Sequence, residues 1–302
     1  MKNYLGIDIG GSKLAMAAFD EEGKIARIKQ KNYANVYTAS ELMKDIEKLS
    51  KEFQDRNFSA CGVAIPGLCD STKGIWMYSP YTQIKKYPIK EKLENMLEIP
   101  VYIENDVNIS ALGEKKLGCC QDVDDFMWIT LSNGIGGALF LNGKLYRGTG
   151  GNAGEIGHFV MDESSPALCG CGRNGCLESL ASGIGISHAY ERKKGISLSA
   201  REIATIAKKG EKEAIEVYQD AGRYLGKAFA YAVNLLNIDV IVYGGGLANQ
   251  DSLFLPALKK AFNDNVFAAA NENTRIMPTK FLRYGASIMG CFALAEDRYE
   301  RH

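Results

Sequence analysis

The sequence has no excess charge: 36 Lys and Arg stand against 36 Asp and Glu in 302 residues, a formal net charge of zero. Proteins that neutralise a nucleic-acid backbone carry a basic surplus, so no nucleic-acid partner is expected. No apolar run approaches the roughly 20 residues that a membrane helix needs, and Met1 to Gly6 holds no apolar signal-peptide core. The expected setting is the cytoplasm, with no membrane partner. Low-complexity segments and Pro- or Ser-rich linkers are also missing. Eight cysteines would suit a disulfide scaffold only in a short secreted chain. Five of them (Cys61, Cys69, Cys119, Cys120, Cys291) lie scattered in apolar or helical contexts and read as reduced, structural thiols; the other three stand apart. What is present is an ordinary globular composition, 46% hydrophobic and 24% charged, long enough for two domains or one large one.

Apolar runs from Tyr4 to Ile9 and from Leu14 to Phe19 flank Gly10-Gly11-Ser12, which predicts a β-hairpin. Thr38 and Glu41 have capping-box spacing, and Leu42, Ile46, Leu49 and Phe53 follow at helical intervals. Cys61 to Ile65 reads as a buried strand stopped by Pro66-Gly67. Val101 to Ile103 reads as another, leading through Glu104-Asn105-Asp106 into a helix to Leu117. A second hairpin runs from Phe126 to Leu131 and from Ala138 to Leu141 around a Gly-rich turn, so the hairpin motif occurs twice. Segments 200–209, 211–237, 253–262 and 286–300 read as helices, and Asp239 to Tyr243 as a buried strand ending in three glycines. The expectation is a two-domain α/β protein whose halves descend from a duplication. Residues 1–115 form the smaller domain, with the helix at 286–302 packing back on it, and residues 116–285 form the larger.

Asp8-Ile9-Gly10-Gly11-Ser12-Lys13 sets a carboxylate at a strand end before two glycines, a hydroxyl and a cation, a workable phosphate turn. It is not a P-loop, and alone it reads equally well as a glycine-closed hairpin with an incidental Asp. The turn from Asn133 through Gly134, Gly136 and Gly137 shares that ambiguity; two such turns favour a nucleotide held from both sides. Gly244-Gly245-Gly246 either lets a base or ribose lie against the backbone or merely turns the chain. Glu104, Asn105 and Asp106 end a central strand; three polar residues there are costly if buried without partners, so they are expected to face a cleft. Asn105 or Asp106 also suits a helix N-cap.

His158, Cys169, Cys171 and Cys176, threaded through Gly170, Gly172 and Gly175, suit a tetrahedral Cys3His zinc site whose closed shell is structural. A Cys-x-Cys disulfide is a poor alternative because that spacing is unfavourable. Glu155 and Glu178 flank the knot closely enough to be held as acceptors for a ligand's hydroxyls. Nothing in the sequence ties the knot to the glycine turns. His188 sits at an expected helix start with no ligand at metal spacing and reads as structural.

In order and spacing these motifs resemble the ROK family of bacterial sugar kinases and repressors over nearly the whole chain. The likeness runs through Asp8 to Lys13, Pro66-Gly67, Glu104-Asn105-Asp106-x-Asn108, Gly134-x-Gly136-Gly137, Glu155-x-x-His158, the cysteine knot, Glu178 and Gly244 to Gly246. The resemblance implies a two-domain actin-like ATPase (ribonuclease H-like) fold with an interdomain cleft, and a homodimer. It implies ATP-dependent phosphorylation of a hexose, usually at the 6-hydroxyl. Asp106 is then the base, and Gly67, Asn105, Asp106, Glu155, His158 and Glu178 contact the sugar, with His158 also a zinc ligand. Asp8, Gly10, Gly11, Ser12, Lys13, Asn133, Gly134, Gly136, Gly137 and Gly244 to Gly246 hold ATP with Mg2+. One departure is Ser79-Pro80-Tyr81-Thr82, which stands where family glucokinases carry Pro-Asn-Leu. Tyr81 therefore opens the choice among glucose, fructose, N-acetylmannosamine, N-acetylglucosamine, allose and β-glucosides. The family's repressors carry a helix-turn-helix segment ahead of the first phosphate turn, which begins here at Asp8, so a sugar-responsive regulator is the lesser expectation.

Overall fold

A computed structural model describes residues 2–11, 13–33, 37–79, 82, 84–281 and 285–300. Ser12, Pro80 and Tyr81, singled out above, lie outside the described residues. The chain forms two compact units: residues 1–122, 147–152 and 279–302 make the first, and residues 123–146 and 153–278 the second.

In the first unit the expected hairpin is present as β1 (Tyr4–Ile9) and β2 (Lys13–Phe19), followed by β3 (Ile25–Asn32). Helix α1 (Ala39–Ser50) starts at the capping box: Glu41 N donates to Thr38 Oγ1, and Thr38 N donates to the Glu41 carboxylate. Then come β4 (Ala60–Ile65), the short strands β5 (Leu68–Asp70), β6 (Ile75–Tyr78) and β7 (Lys85–Tyr87), helix α2 (Ile89–Leu97), strand β8 (Val101–Asn105) and helix α3 (Asp106–Lys116). The main sheet has the order β3-β2-β1-β4-β8, with β1, β4 and β8 parallel. Asp8, Ala64 and Glu104 share one register row across these parallel strands. Asp8 and the Glu104-Asn105-Asp106 tip therefore lie at the same carboxyl edge, where open α/β sheets present their ligand sites.

The second unit repeats that sheet. Strands β9 (Phe126–Leu131), β10 (Ile135–Leu141), β11 (Lys144–Tyr146), β12 (Val240–Gly244) and β13 (Arg275–Pro278) have the order β11-β10-β9-β12-β13, again with three parallel neighbours and an antiparallel hairpin. Helices α4 (Leu177–Ala181), α5 (Gly183–Lys194), α6 (Ala200–Ala207), α7 (Lys212–Leu236), α8 (Asp251–Asn265) and α9 (Ala268–Asn271) complete it. Its core joins Ile129, Leu131 and Ile241 of the sheet to Leu225, Phe229 and Val233 of α7 and Phe254 and Leu258 of α8. His188, expected at a helix start, is instead exposed in the middle of α5.

The last helix, α10 (Ala286–Glu300), returns to the first unit. Ile288, Cys291 and Phe292 of α10 and Ile109 of α3 pack on Tyr4, Ala17, Phe19, Ala60 and Ala64 of its sheet. The opposite face holds Leu42 and Ile46 of α1 and Leu93 of α2. The unit boundaries differ from 115/116 and 285/286 for identifiable reasons, and neither unit is clearly the larger. After α3 the chain folds back on Glu114, whose carboxylate accepts from Cys119 N at 2.9 Å and also from Thr279 Oγ1. This holds 117–122 and the start of the final segment to the first unit. Arg147 is held there by Glu104.

Candidate active site

The tip of β8 is organised by backbone and side chain together. Asn105 caps α3: its Oδ1 accepts from Val107 N at 2.9 Å and Asn108 N at 3.1 Å. Its Nδ2 donates to Gly67 O at 2.9 Å and to Asp106 Oδ1 at 3.1 Å. Asp106, half-buried at the first helical position, accepts from Val107 N at 3.0 Å through the same oxygen. Its carboxyl is pushed up to about 7, first by burial and then by repulsion from Asp8. A carboxylate poised near neutrality matches the requirement for a general base. Glu104 departs from the expected cleft-facing position. It is 3% exposed and ion-paired to Arg147 at 2.7 Å, so the polar run is tolerated because its buried member is paired.

At the first glycine turn Gly10 N donates to Lys13 O at 2.8 Å, and the Tyr37 hydroxyl donates to Gly10 O at 3.0 Å. Burial raises the Asp8 carboxyl against the opposing influence of Ser287, whose hydroxyl donates to Oδ1 at 2.9 Å, and of Lys13. The structure thus places Asp8, Gly10, Gly11, Lys13, Gly67, Asn105 and Asp106 in one unit.

In the second unit the turn 132–134 joins β9 to β10, with Ser132 N donating to Gly134 O at 3.0 Å. Thr130 and Gly244 are register partners, and Gly245 has φ +101° with no room for a Cβ against the Leu131 carbonyl. The second glycine turn and the Gly244 to Gly246 turn therefore meet at the end of β9; Gly246, by contrast, borders open space. Gly137 and Gly154 press backbone to backbone, so the segment carrying Glu155 and His158 lies on β10. Only glycine permits that approach.

The side-chain donor atoms of His158, Cys169, Cys171 and Cys176 lie within 4.8 Å of one another. Cys169 Sγ is 3.5 Å from His158 Nδ1, and Cys171 Sγ is 3.6 Å from Cys176 Sγ. With Zn–S about 2.3 Å and Zn–N about 2.0 Å, a tetrahedron has edges of about 3.8 and about 3.5 Å, so these two pairs stand close to the spacing a zinc ion requires. The Arg173 backbone N–H and guanidinium hold the Cys171 thiol at about 6, ready as a thiolate, while burial raises Cys176. His158 Nε2, the ring nitrogen other than the one beside Cys169, lies 3.9 Å from Glu155 Oε2. The cysteine knot does not stand apart from the glycine turns, as the sequence suggested. Glu178 Oε2 accepts from Ile135 N at 3.0 Å, so the knot is tied to the second glycine turn because α4 begins directly after Cys176 and carries Glu178 onto β10.

Residues 4–298 match the sequence model of the ROK family. The chain belongs to the ROK family. It is 32% identical over 281 residues to a glucokinase of Halalkalibacterium halodurans, covering 86% of this ROK chain and 84% of the relative. It is 31% identical over 250 residues to the DNA-binding transcriptional dual regulator NagC of Escherichia coli, covering 80% of this chain and 61% of the regulator. The structure of a ROK family glucokinase from Streptomyces griseus in complex with glucose and AMPPNP matches with a TM-score of 0.85 at 26% identity, covering 98% of this chain and 99% of that one. The repeated sheets accordingly constitute the two-domain actin-like ATPase fold. No helix among the described residues is long and apolar enough to cross a membrane.

Three residues that hold candidate-site groups in place carry no signal in the local sequence: Tyr37 on Gly10, Ser287 on Asp8 and Arg147 on Glu104. Each acts on a partner 27, 279 or 43 residues away, and no local spacing signals such a pairing.

Proposed function

We propose that this ROK protein is an ATP-dependent hexose kinase in which Asp106 takes the proton from the acceptor hydroxyl, the 6-hydroxyl of glucose or a related hexose. The observation that carries the reading is the Asp106 carboxylate itself, oriented by Asn105 and Val107 and held at about 7. Phosphoryl transfer depends on positioning and charge neutralisation, and general-base assistance adds about 10²- to 10⁴-fold. All four hydrogen-bonding positions of the Asn105 side chain are taken within the chain, so a sugar hydroxyl reaches it by taking over one Nδ2 hydrogen. Glu155, the free Nε2 of His158 and the remaining acceptor capacity of Glu178 are assigned to other ring hydroxyls, and Gly67 supports Asn105. Gly10, Gly11, Ser12 and Lys13 on one turn, and Asn133, Gly134, Gly136 and Gly137 on the other, are assigned to ATP phosphates. Gly244 to Gly246 is assigned to adenosine. Magnesium bound with ATP supplies charge neutralisation, and Asp8 is the carboxylate suited to its water shell.

ATP consumption measured against glucose, mannose, fructose, allose, N-acetylmannosamine, N-acetylglucosamine and β-glucosides tests the reading. Turnover above the no-sugar background is expected with at least one of them, and its absence throughout would refute the kinase assignment. Likeness to the NagC regulator supports sugar-responsive regulation as the second reading. Tight sugar binding without ATP consumption would favour it.

His158, Cys169, Cys171 and Cys176 are assigned to one structural zinc ion. Metal analysis of protein purified without added zinc should return one zinc per chain. Chelation should lower the unfolding temperature, because binding to the folded site contributes to folding free energy. Metal-free protein of equal stability would dismiss the assignment.

A further inference from the structure

Arg147 has no role in the site as assigned above, yet the segment Arg147–Asn152 belongs to the first unit while the chain on both sides of it belongs to the second. Its Nε and Nη2 both reach Glu104 Oε2 at 2.7 Å. The other oxygen of Glu104 accepts from Asn105 N at 3.0 Å and from Asn108 Nδ2 at 3.1 Å. Asn105 then donates to Asp106 Oδ1. A continuous run of contacts therefore leads from the guanidinium to the carboxylate assigned as base. A buried ion pair is in itself weak evidence for stability, since apolar residues of equal volume often serve as well. What distinguishes this pair is where its charge is used: on the main chain and side chains that shape the tip of β8.

We propose that Arg147 is a positioning residue for phosphoryl transfer: by clamping and neutralising Glu104 it fixes Asn105, and through Asn105 the orientation and charge state of Asp106. The inference rests on the kinase reading. Among the described residues, the titratable groups that act on Asp106 or are acted on by it are Asp8 of β1, Tyr37 ahead of α1 and Cys69 of β5, with Lys13 of β2 acting on Asp8; Glu104 of β8, paired to Arg147, precedes Asp106 by two residues. Among these Arg147 supplies the cation paired to Glu104. Without it, Glu104 stands as an uncompensated anion two residues from the base. An added negative charge favours the protonated carboxyl, so Asp106 would ionise at higher pH.

Three variants separate positioning from simple structural support. R147M should lower kcat about 10- to 100-fold, the cost of a small misplacement of a reacting group. It should also move the acid limb of the kcat/KM profile to higher pH. R147K keeps the charge and loses the fork, so it should lower kcat with the acid limb unmoved. The double variant R147M/E104Q removes the stranded charge; its acid limb and unfolding temperature should return toward wild type while kcat stays low. It also provides a folded protein if R147M alone does not fold. Carbon-13 NMR titration of the Asp106 carboxyl, with no substrate present, gives the same comparison without activity. If Asp106 titrates identically in R147M and wild type, and kcat per folded molecule is unchanged, the inference fails. If wild-type protein phosphorylates no hexose, the kinase reading fails, and the NMR titration still decides whether Arg147 controls Asp106.

Discussion

Asp106→Asn should lower kcat by about 10²- to 10⁴-fold while hexose affinity changes by only a few-fold. Asparagine keeps the shape of the side chain and can still accept through Oδ1 from Val107 N and Asn105 Nδ2, so the tip of β8 should stay in place. What disappears is the ability to take a proton. Steady-state kinetics beside calorimetric hexose titration make the comparison, and near-normal kcat in the variant would remove Asp106 from the catalytic role. The wild-type profile adds a second check. With the carboxyl held at about 7, kcat/KM should climb as pH rises through that value and level off above it. Stability should move in the opposite direction. The folded carboxyl binds its proton more tightly than the unfolded one, so the folded state gives up stability as pH rises from about 4 to about 7, and the loss is complete above that window. Asp106→Asn escapes the loss. It should therefore be more stable than wild type at pH 8, by on the order of 1 to 4 kcal/mol of unfolding free energy, and the advantage should fade below about pH 4.

The same residue shows how far the sequence could be read. The strand ending near Glu104, the following helix and an Asn or Asp cap all follow from local pattern, and the structure selects Asn105 for the cap because its side chain reaches two N–H groups of the first turn. Both hairpins, the capping box at Thr38 and the helix at 286–300 were legible for the same reason: each is stated within a few residues of itself. The sheet of β5, β6 and β7 was not. Its strands have three or four residues, and only Trp76 among them is fully buried, so no alternation develops. Helix α4 and the first turn of α5, whose start was expected only at His188, were obscured by cysteines and glycines that serve the knot and the Ser132 turn; Gly183 N donates to Ser132 O. The partner of Glu104 was illegible in principle, because a buried carboxylate announces that it needs a cation without saying which of 36 Lys and Arg supplies it.

The tie between the cysteine knot and the second glycine turn changes what loss of a zinc ligand should do. From the sequence, the knot orders sugar contacts alone: His158 binds metal through one ring nitrogen and leaves the other for a hydroxyl, and Glu178 follows Cys176 by two residues. In the structure Glu178 also holds Ile135 N, and Ile135 stands between Gly134 and Gly136 of the turn assigned to phosphate. Cys171→Ser, at an exposed ligand whose replacement disturbs no core packing, should weaken hexose binding about 10- to 100-fold, the usual cost of losing supporting order around a metal-held group. Binding of a non-hydrolysable ATP analogue should weaken too, but by a smaller factor, since Glu178 is the link while the turn's own backbone bond between Ser132 and Gly134 persists. Calorimetry of the two ligands on zinc-loaded wild type and on the variant reads both numbers. Glu178→Gln serves as the control, since its amide oxygen can still accept from Ile135 N and the knot stays intact; hexose binding should fall with the lost charge while nucleotide binding stays near wild type. If Cys171→Ser leaves nucleotide affinity untouched, the Glu178 bond carries no influence from the knot to the turn. Equal losses for both ligands would instead mean that zinc acts through the stability of the whole second unit.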